Sequence, residues 1–244
     1  MIRENKCQTA LILENRKLSD DVYRLAMQVD MKAEPGQFVQ VQIPGFYLRR
    51  PISVHDVTED GLVLIYKTVG QGTERLANMK EGERLNLFGP LGTGFPVEAR
   101  DVVLIGGGVG VPPLYYTAKK YLENQNKVTV VLGFNTKNQI FLEEDFRKLG
   151  CETITATMDG SYGIKGTVID ALKVKNISTD FVLACGPKPM LKAVSETCRG
   201  YISLESRMAC GIGACMGCVV KDRKGESRRV CKDGPVFAIG EVEL

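Results

Sequence analysis

The sequence predicts a chain of mixed class: an all-β first part, a doubly wound parallel α/β second part and a small cysteine-rich third part. Three observations carry this. Up to about residue 98, short β-rich runs alternate with turn residues. From Asp101 the rhythm changes to strands alternating with helices. Near the C-terminus four cysteines stand as C-x4-C-x2-C followed by twelve residues and a fourth Cys. The expected segments are therefore 1–98, 99–200 and 201–244.

In the first segment the runs CQTALILENRKL, VYRLAMQV, GQFVQVQI, ISVHDV, GLVLIYKTV and ERLNLFGP read as strands. Breakers separate them at Pro35-Gly36, Pro44-Gly45, Asp60-Gly61 and Glu81-Gly82. Many short strands with regular turns suggest an antiparallel sandwich or barrel. One helix is expected inside it, Thr73 to Lys80, with Thr73 as its N-cap. In the second segment, strand DVVLI leads through GGGVGVPP into helix LYYTAKKYLENQ. Then follow strand KVTVVLGFN, helix FLEEDFRKLG, strand CETITATMD, helix TVIDALKV, strand DFVLACGP and helix PMLKAVSETCRG. Such alternation gives a parallel sheet covered by helices.

Composition excludes several classes. The hydrophobic fraction of 44% and charged fraction of 25% are those of an ordinary soluble domain. A net charge of +3 is too small to argue for nucleic acid or a membrane surface. No apolar run approaches bilayer-spanning length, and the polar N-terminus does not read as a signal peptide. With Cys7, Cys151, Cys185 and Cys198 scattered and unpatterned, the expectation is a reducing cytoplasm.

Cys210, Cys215, Cys218 and Cys231 are the metal-ligand candidates. Their opening spacing is that of plant-type [2Fe–2S] sites. Gly211, Gly213 and Gly217 permit tight turning that aims N–H groups at sulfur, and CVVKD, RKGE, SRRVC reads as a hairpin returning the fourth thiolate. Structural zinc and a disulfide framework are the competing readings. Zinc sites usually pair two C-x2-C knuckles, and only one is present here; disulfide frameworks suit short secreted chains.

Gly106-Gly107-Gly108-Val109-Gly110 joins a strand to a helix, where a pyrophosphate could approach the backbone. It departs from G-x-G-x-x-G, since Pro113 stands at the third glycine position. The tip of the next strand, Phe134-Asn135, has neither an acid for a ribose hydroxyl nor an Arg for a 2′-phosphate, which favours NAD, although Lys137 lies close by. Cys185-Gly186-Pro187 ends a strand at the carboxyl edge, where Cys185 could border a nicotinamide or simply be a buried strand end. Arg49-Arg50-Pro51-Ile52-Ser53 and Gly70-Gln71-Gly72-Thr73 could clamp a phosphate or be an ordinary Arg pair and N-cap. His55, the one histidine, reads as solvated and carries no role; Tyr115 and Tyr116 read as packing residues.

Electron counting joins these sites. A nicotinamide exchanges a hydride, whereas a [2Fe–2S] cluster passes one electron. A flavin can mediate between them, so a third cofactor is expected at the Arg50/Gly72 features.

The order RPIS, GQGT, GGGVG and CGP resembles that of the ferredoxin reductase-like flavoproteins. With the tail CGIGACMGC the chain is similar, over nearly its whole length, to the dihydroorotate dehydrogenase B electron transfer subunit family. The resemblance implies an N-terminal antiparallel β-barrel FAD domain, an NAD domain and a C-terminal [2Fe–2S] region. It implies FAD contacts by Arg50, Pro51, Ile52 and Ser53, with Arg50 toward the phosphates and Ser53 near the flavin N5. Ile65, Tyr66 and Lys67 would line the flavin and ribityl chain, and Gly72 and Thr73 would hold the pyrophosphate. Many relatives carry a stacking aromatic where Ile52 stands; Tyr66 is a candidate to replace it. The NAD contacts would be Gly106, Gly107, Gly108, Gly110, Gly186 and Pro187, with Cys185 near the nicotinamide. The implied partner is an FMN-containing catalytic subunit that oxidises dihydroorotate, in a hetero-oligomer of heterotetramer type serving pyrimidine biosynthesis. No site for dihydroorotate itself is assignable on this chain. The alternatives are a reductase subunit of an oxygenase, hydrogenase or ferredoxin–NAD(P) oxidoreductase complex, or a non-redox binding protein with a zinc knob.

Overall fold

The computed structural model describes residues 6–244; residues 1–5, placed in the first segment by the sequence reading, lie outside the described residues. Six strands close a barrel: β1 (Lys6–Lys17), β2 (Val22–Gln28), β3 (Phe38–Gln42), β4 (Arg50–Val57), β5 (Gly61–Lys67) and β6 (Arg84–Leu91), in the order β1-β2-β5-β4-β3-β6. Every pairing is antiparallel. Strand periodicity of two explains the division of side chains. Val39 and Val41 of β3, Ile52 and Val54 of β4 and Leu62 and Leu64 of β5 fill the interior. Phe38 and Gln40, on the other face of β3, are also buried, because a second layer covers that face.

Helix α1 (Gln71–Ala77) lies between β5 and β6. It starts two residues before the predicted point, with Gly70 rather than Thr73 at its cap. The Thr73 hydroxyl works inside the first turn, accepting from the Val69 N–H at 2.9 Å and donating to the Gly70 carbonyl at 3.0 Å.

The second layer is a seven-stranded sheet. It contains β7 (Val102–Gly107), β8 (Val128–Phe134), β9 (Glu152–Thr157), β10 (Ile164–Lys165), β11 (Val182–Cys185), β12 (Gly200–Ser203) and β15 (Val236–Ala238), with the hairpin β13 (Val219–Lys221) and β14 (Ser227–Arg229) between the last two. Helices α2 (Pro112–Glu123), α3 (Glu143–Leu149), α4 (Val168–Val174) and α5 (Lys188–Thr197) cover it. The order is β10-β9-β8-β7-β11-β12-β15, parallel until β15, which runs antiparallel to β12. Successive strands step away from β7 in one direction and then in the other. The crevice outside β7 and β11 is thus the topological switch point where open α/β sheets bind ligands.

Strands β12 and β15 carry the sheet past residue 200, so the cysteine-rich region is built onto the sheet's edge. Phe38 and Leu91 of the barrel, Cys218, Val230 and Cys231 of the hairpin, and Ile202 and Phe237 of the sheet belong to one continuous core. The barrel is further tied by Thr93, whose N–H donates to the Gly234 carbonyl at 2.6 Å and whose hydroxyl donates to that of Val236 at 3.2 Å. Helix α2 provides the other junction: the Tyr116 hydroxyl donates to the Ala33 carbonyl at 3.3 Å, and Lys119 pairs with Asp56 at 3.1 Å.

Candidate electron-transfer site

The loop from Cys210 to Cys218 turns through Gly211 at φ +73° and Gly213 at φ +81°, conformations that favour glycine. Its backbone N–H groups point at sulfur. Ala214 and Cys215 donate to Cys210 Sγ at 3.3 Å each, Gly213 to Cys231 Sγ at 3.1 Å, Gly217 to Cys215 Sγ at 3.5 Å, and Cys231 to Cys218 Sγ at 3.4 Å. Strands β13 and β14 pair with Val219 opposite Arg229, which brings Cys231 back beside Cys218. Burial raises the Cys210 thiol, and N–H groups of Cys215, Ile212 and Ala214 more than reverse this, holding it at about 6. Cys231 goes the other way, to about 12, through burial and the hydrogen it shares with Cys218. Four thiols in one loop and hairpin, with N–H donors already aimed at each sulfur, fit an iron–sulfur cluster, whose potential such donors help to set.

At the switch point four glycines are closely packed, and Gly110 alone meets backbone atoms closer than 3.0 Å. A Cβ on Gly110 would lie 2.3 Å from the Cys185 carbonyl oxygen, and one on Gly107 would lie 2.6 Å from Met190 Sδ. On Gly186 it would lie 2.5 Å from Met190 Cε, and on Gly106 2.8 Å from Val111 Cγ2. Gly108 differs: it has φ +51° and nothing within 4 Å of a Cβ, so its backbone faces open space. The sequence reading gave all these glycines to ligand approach. The structure leaves room beside Gly108, packs Gly106 against Val111 and Leu114 at the start of α2, and fits Gly107, Gly110 and Gly186 between the β7 turn and the segment after β11. Cys185 ends β11 fully enclosed, its thiol pushed up to about 12 by burial, so it is a neutral wall and not a nucleophile. Glu205 is the acidic group nearest in effect to this strand end. Its charge is felt at Cys185, and desolvation raises its own carboxyl although the residue as a whole remains exposed. No motif surrounds it that could have marked it.

Arg50 and Gly72 come together as the sequence suggested. A Cβ on Gly72 would lie 2.8 Å from Arg50 Nη2, so the guanidinium rests on the first turn of α1. The neighbouring arginine is separated from it: Arg49 binds the side chain and carbonyl of Asn86 at 2.5 and 3.1 Å. Lys67 pairs with Asp21 at 2.8 Å. Ile65 points out of the barrel into the core around β7 and α2.

Two readings are corrected. Tyr66 does not offer a free ring to a ligand. Its ring stacks on Tyr23 at 5.7 Å, its hydroxyl donates to Asn15 Oδ1 at 3.0 Å, and it is buried in the barrel, which raises its pKa. His55 is not solvated. It is buried between β4 and α2, stacked on Tyr115 at 4.8 Å, with Nδ1 2.9 Å from the Pro112 carbonyl oxygen. A carbonyl only accepts, so Nδ1 carries the hydrogen, and burial drives the pKa down to about 4.

A closed six-stranded barrel, a doubly wound sheet with a glycine-lined crevice and a four-cysteine loop define an oxidoreductase of the ferredoxin reductase-like class. A family profile described as "Iron-sulfur cluster binding domain of dihydroorotate dehydrogenase B" matches residues 205–243, and one described as "Oxidoreductase NAD-binding domain" matches residues 104–196. The solved structure of an NADH-dependent reduced ferredoxin–NADP oxidoreductase superposes with a TM-score of 0.88 at 33% identity, covering 96% of this chain and 89% of that one. The dihydroorotate dehydrogenase B (NAD(+)) electron transfer subunit of Fusobacterium nucleatum is 42% identical over 98% of this chain and 99% of its own length. That of Shouchella clausii is 41% identical over 96% of each. The chain belongs to the family of dihydroorotate dehydrogenase B electron transfer subunits.

Proposed function

We propose that this chain works beside a catalytic subunit that oxidises dihydroorotate on FMN, and delivers the electrons to NAD+ in pyrimidine (UMP) biosynthesis. When bound, the [2Fe–2S] cluster supplies one-electron transfer, FAD the conversion between one- and two-electron chemistry, and NAD the hydride acceptor. The observation that carries the reading is the shared barrel face. Cross-strand register sets Pro51 opposite Gln40 and Ser53 opposite Phe38, and β6 continues these rows with Phe88 and Leu91. The cluster loop lies on this face: a Cβ on Gly211 would lie 2.8 Å from Gln40 Nε2 and 3.1 Å from Leu91 Cδ1. Motif strand and thiolate loop therefore share one floor.

In this reading Cys210, Cys215, Cys218 and Cys231 hold the cluster. Arg50 and the backbone of Gly72 and Thr73 neutralise and orient the FAD pyrophosphate. Pro51, Lys67 and the backbone of Ile52, Ile65 and Tyr66 line the flavin seat, with Ser53 placed toward its reactive edge. Gly106, Gly107, Gly108, Gly110, Gly186 and Pro187 shape the NAD crevice, and Cys185 closes its inner wall. A heterotetramer with the FMN subunit and a cytoplasmic setting complete the proposal; no helix among the described residues is long and apolar enough to cross a membrane.

Reconstitution with a dihydroorotate-oxidising FMN subunit tests it. The expected result is NADH formation that requires dihydroorotate and both subunits. Similarity to the ferredoxin–NADP oxidoreductase sustains a second reading, in which the chain serves a ferredoxin-linked complex. Reduction of ferredoxin alone, with no dihydroorotate-dependent NADH, would select it.

A further inference from the structure

One polar side chain on the shared floor is buried without a partner among the described residues. Gln40 is fully buried on the outer face of β3, and neither its Nε2 nor its Oε1 meets a hydrogen-bond partner among the described residues. Its neighbours show that this is not a property of the strand. Gln37, equally buried, accepts from the Glu34 N–H at 2.8 Å and donates to the Gly92 carbonyl at 2.9 Å. Gln42 donates to the Phe46 carbonyl at 2.9 Å. A buried amide left unpaired costs folding free energy, so a leucine or methionine would serve a merely packed floor better. Gln40 lies beneath the residue that follows the first cluster cysteine, and any side chain on Gly211 would collide with its Nε2. Its backbone is registered opposite Pro51 of the motif strand.

We propose that Gln40 is a positioning residue of the electron-transfer site: its Nε2–H, which no cysteine sulfur satisfies in the protein alone, donates to an inorganic sulfide of the [2Fe–2S] cluster when that cluster is bound. The inference rests on the cluster reading above. The N–H groups of the loop come from the backbone on its own side; Gln40 adds a donor from the barrel, where the flavin motif lies. A donor to sulfur stabilises the more negative, reduced cluster and so raises its potential. The glycine at 211 is then needed for access as well as for its positive φ.

The test uses the intact FAD- and cluster-loaded chain, with iron content measured first. Gln40→Met keeps the length and apolar stem and removes the donor. In an EPR-monitored redox titration it is expected to shift the cluster's one-electron equilibrium about tenfold toward the oxidised form, which is about 59 mV. Independently of any variant, reduced wild-type protein carrying 15N in its glutamine side chains is expected to show a 15N coupling by pulsed EPR, absent in Gln40→Met. A cluster of unchanged potential in Gln40→Met, or wild-type protein without the coupling, overturns the proposal while leaving the cluster reading intact. If Gln40→Met fails to load its cluster, the wild-type coupling decides alone. Iron-free wild-type protein would remove both.

Discussion

Gly108 and Gly110 stand two residues apart and are glycine for opposite reasons. Gly108 has open space where a side chain would be, and Gly110 has the Cys185 carbonyl oxygen 2.3 Å away. The motif was legible in the sequence; the division of labour was not, because it depends on the turn after β11, some 75 residues on. The cysteines were legible for a contrasting reason: their spacing within one loop already determines which sulfurs meet. Cys215 is exposed, and its sulfur accepts only the Gly217 N–H among the described residues. Cys215→Ser is expected to abolish the visible and EPR signals of the cluster while NADH-to-dye activity through FAD survives, measured on anaerobic protein. Simultaneous loss of bound flavin would show that the two seats are not separate. His55 was misread because a lone histidine in a strand carries no sign of the helix that covers it. Its pKa is lowered, so the unfolded chain binds the extra proton between pH 6.5 and about 4, and stability falls as pH falls through that window. The cost reaches on the order of 3 kcal/mol at pH 4. Thermal melts between pH 7 and 5 should show a steeper acid loss in wild type than in His55→Gln; equal slopes would mean that His55 is not the group responsible.

At the scale of elements, the six barrel strands and the alternating strands and helices were readable from periodicity and breakers. What escaped was β10, β12 and β15. Gly200–Ser203 and Val236–Ala238 are too short to show alternation, and they become strands only by pairing with a sheet edge formed far away in sequence. The start of α1 was misplaced because Thr73 has the chemistry of a cap and uses it one turn inward. Helix α4 shows the local rule obeyed: Thr167 and Asp170 form a reciprocal capping box. Thr167→Ala removes it and should cost about 1 kcal/mol, lowering the melting temperature by roughly 2–4 °C. Because α4 packs on β8, β9, β10 and α5, iron and flavin content should be unchanged. A loss of flavin with this variant would indicate coupling that the packing does not show.

At the scale of the molecule, the motif strand and the cysteine loop come together because the barrel's outer face is used twice. It seats the motif strand Arg50–Val57 and carries the cluster loop, while α2 clamps the opposite junction through Tyr116, Lys119 and His55. The sequence announced each site and, through electron counting, the need for a flavin between the other two. The arrangement of motif strand and cysteine loop on one surface rests on contacts such as Gly211 to Gln40 and Thr93 to Gly234, which no spacing encodes. The most direct measurement of the central claim is an anaerobic titration of the purified chain with NADH, followed by visible absorption and EPR, with iron, sulfide and flavin quantified beforehand. The expected result is brown protein with iron and flavin in the ratio that one [2Fe–2S] cluster and one FAD require, and NADH reducing both. Iron-free protein, or a cluster that stays oxidised while NADH reduces the flavin completely, would contradict it.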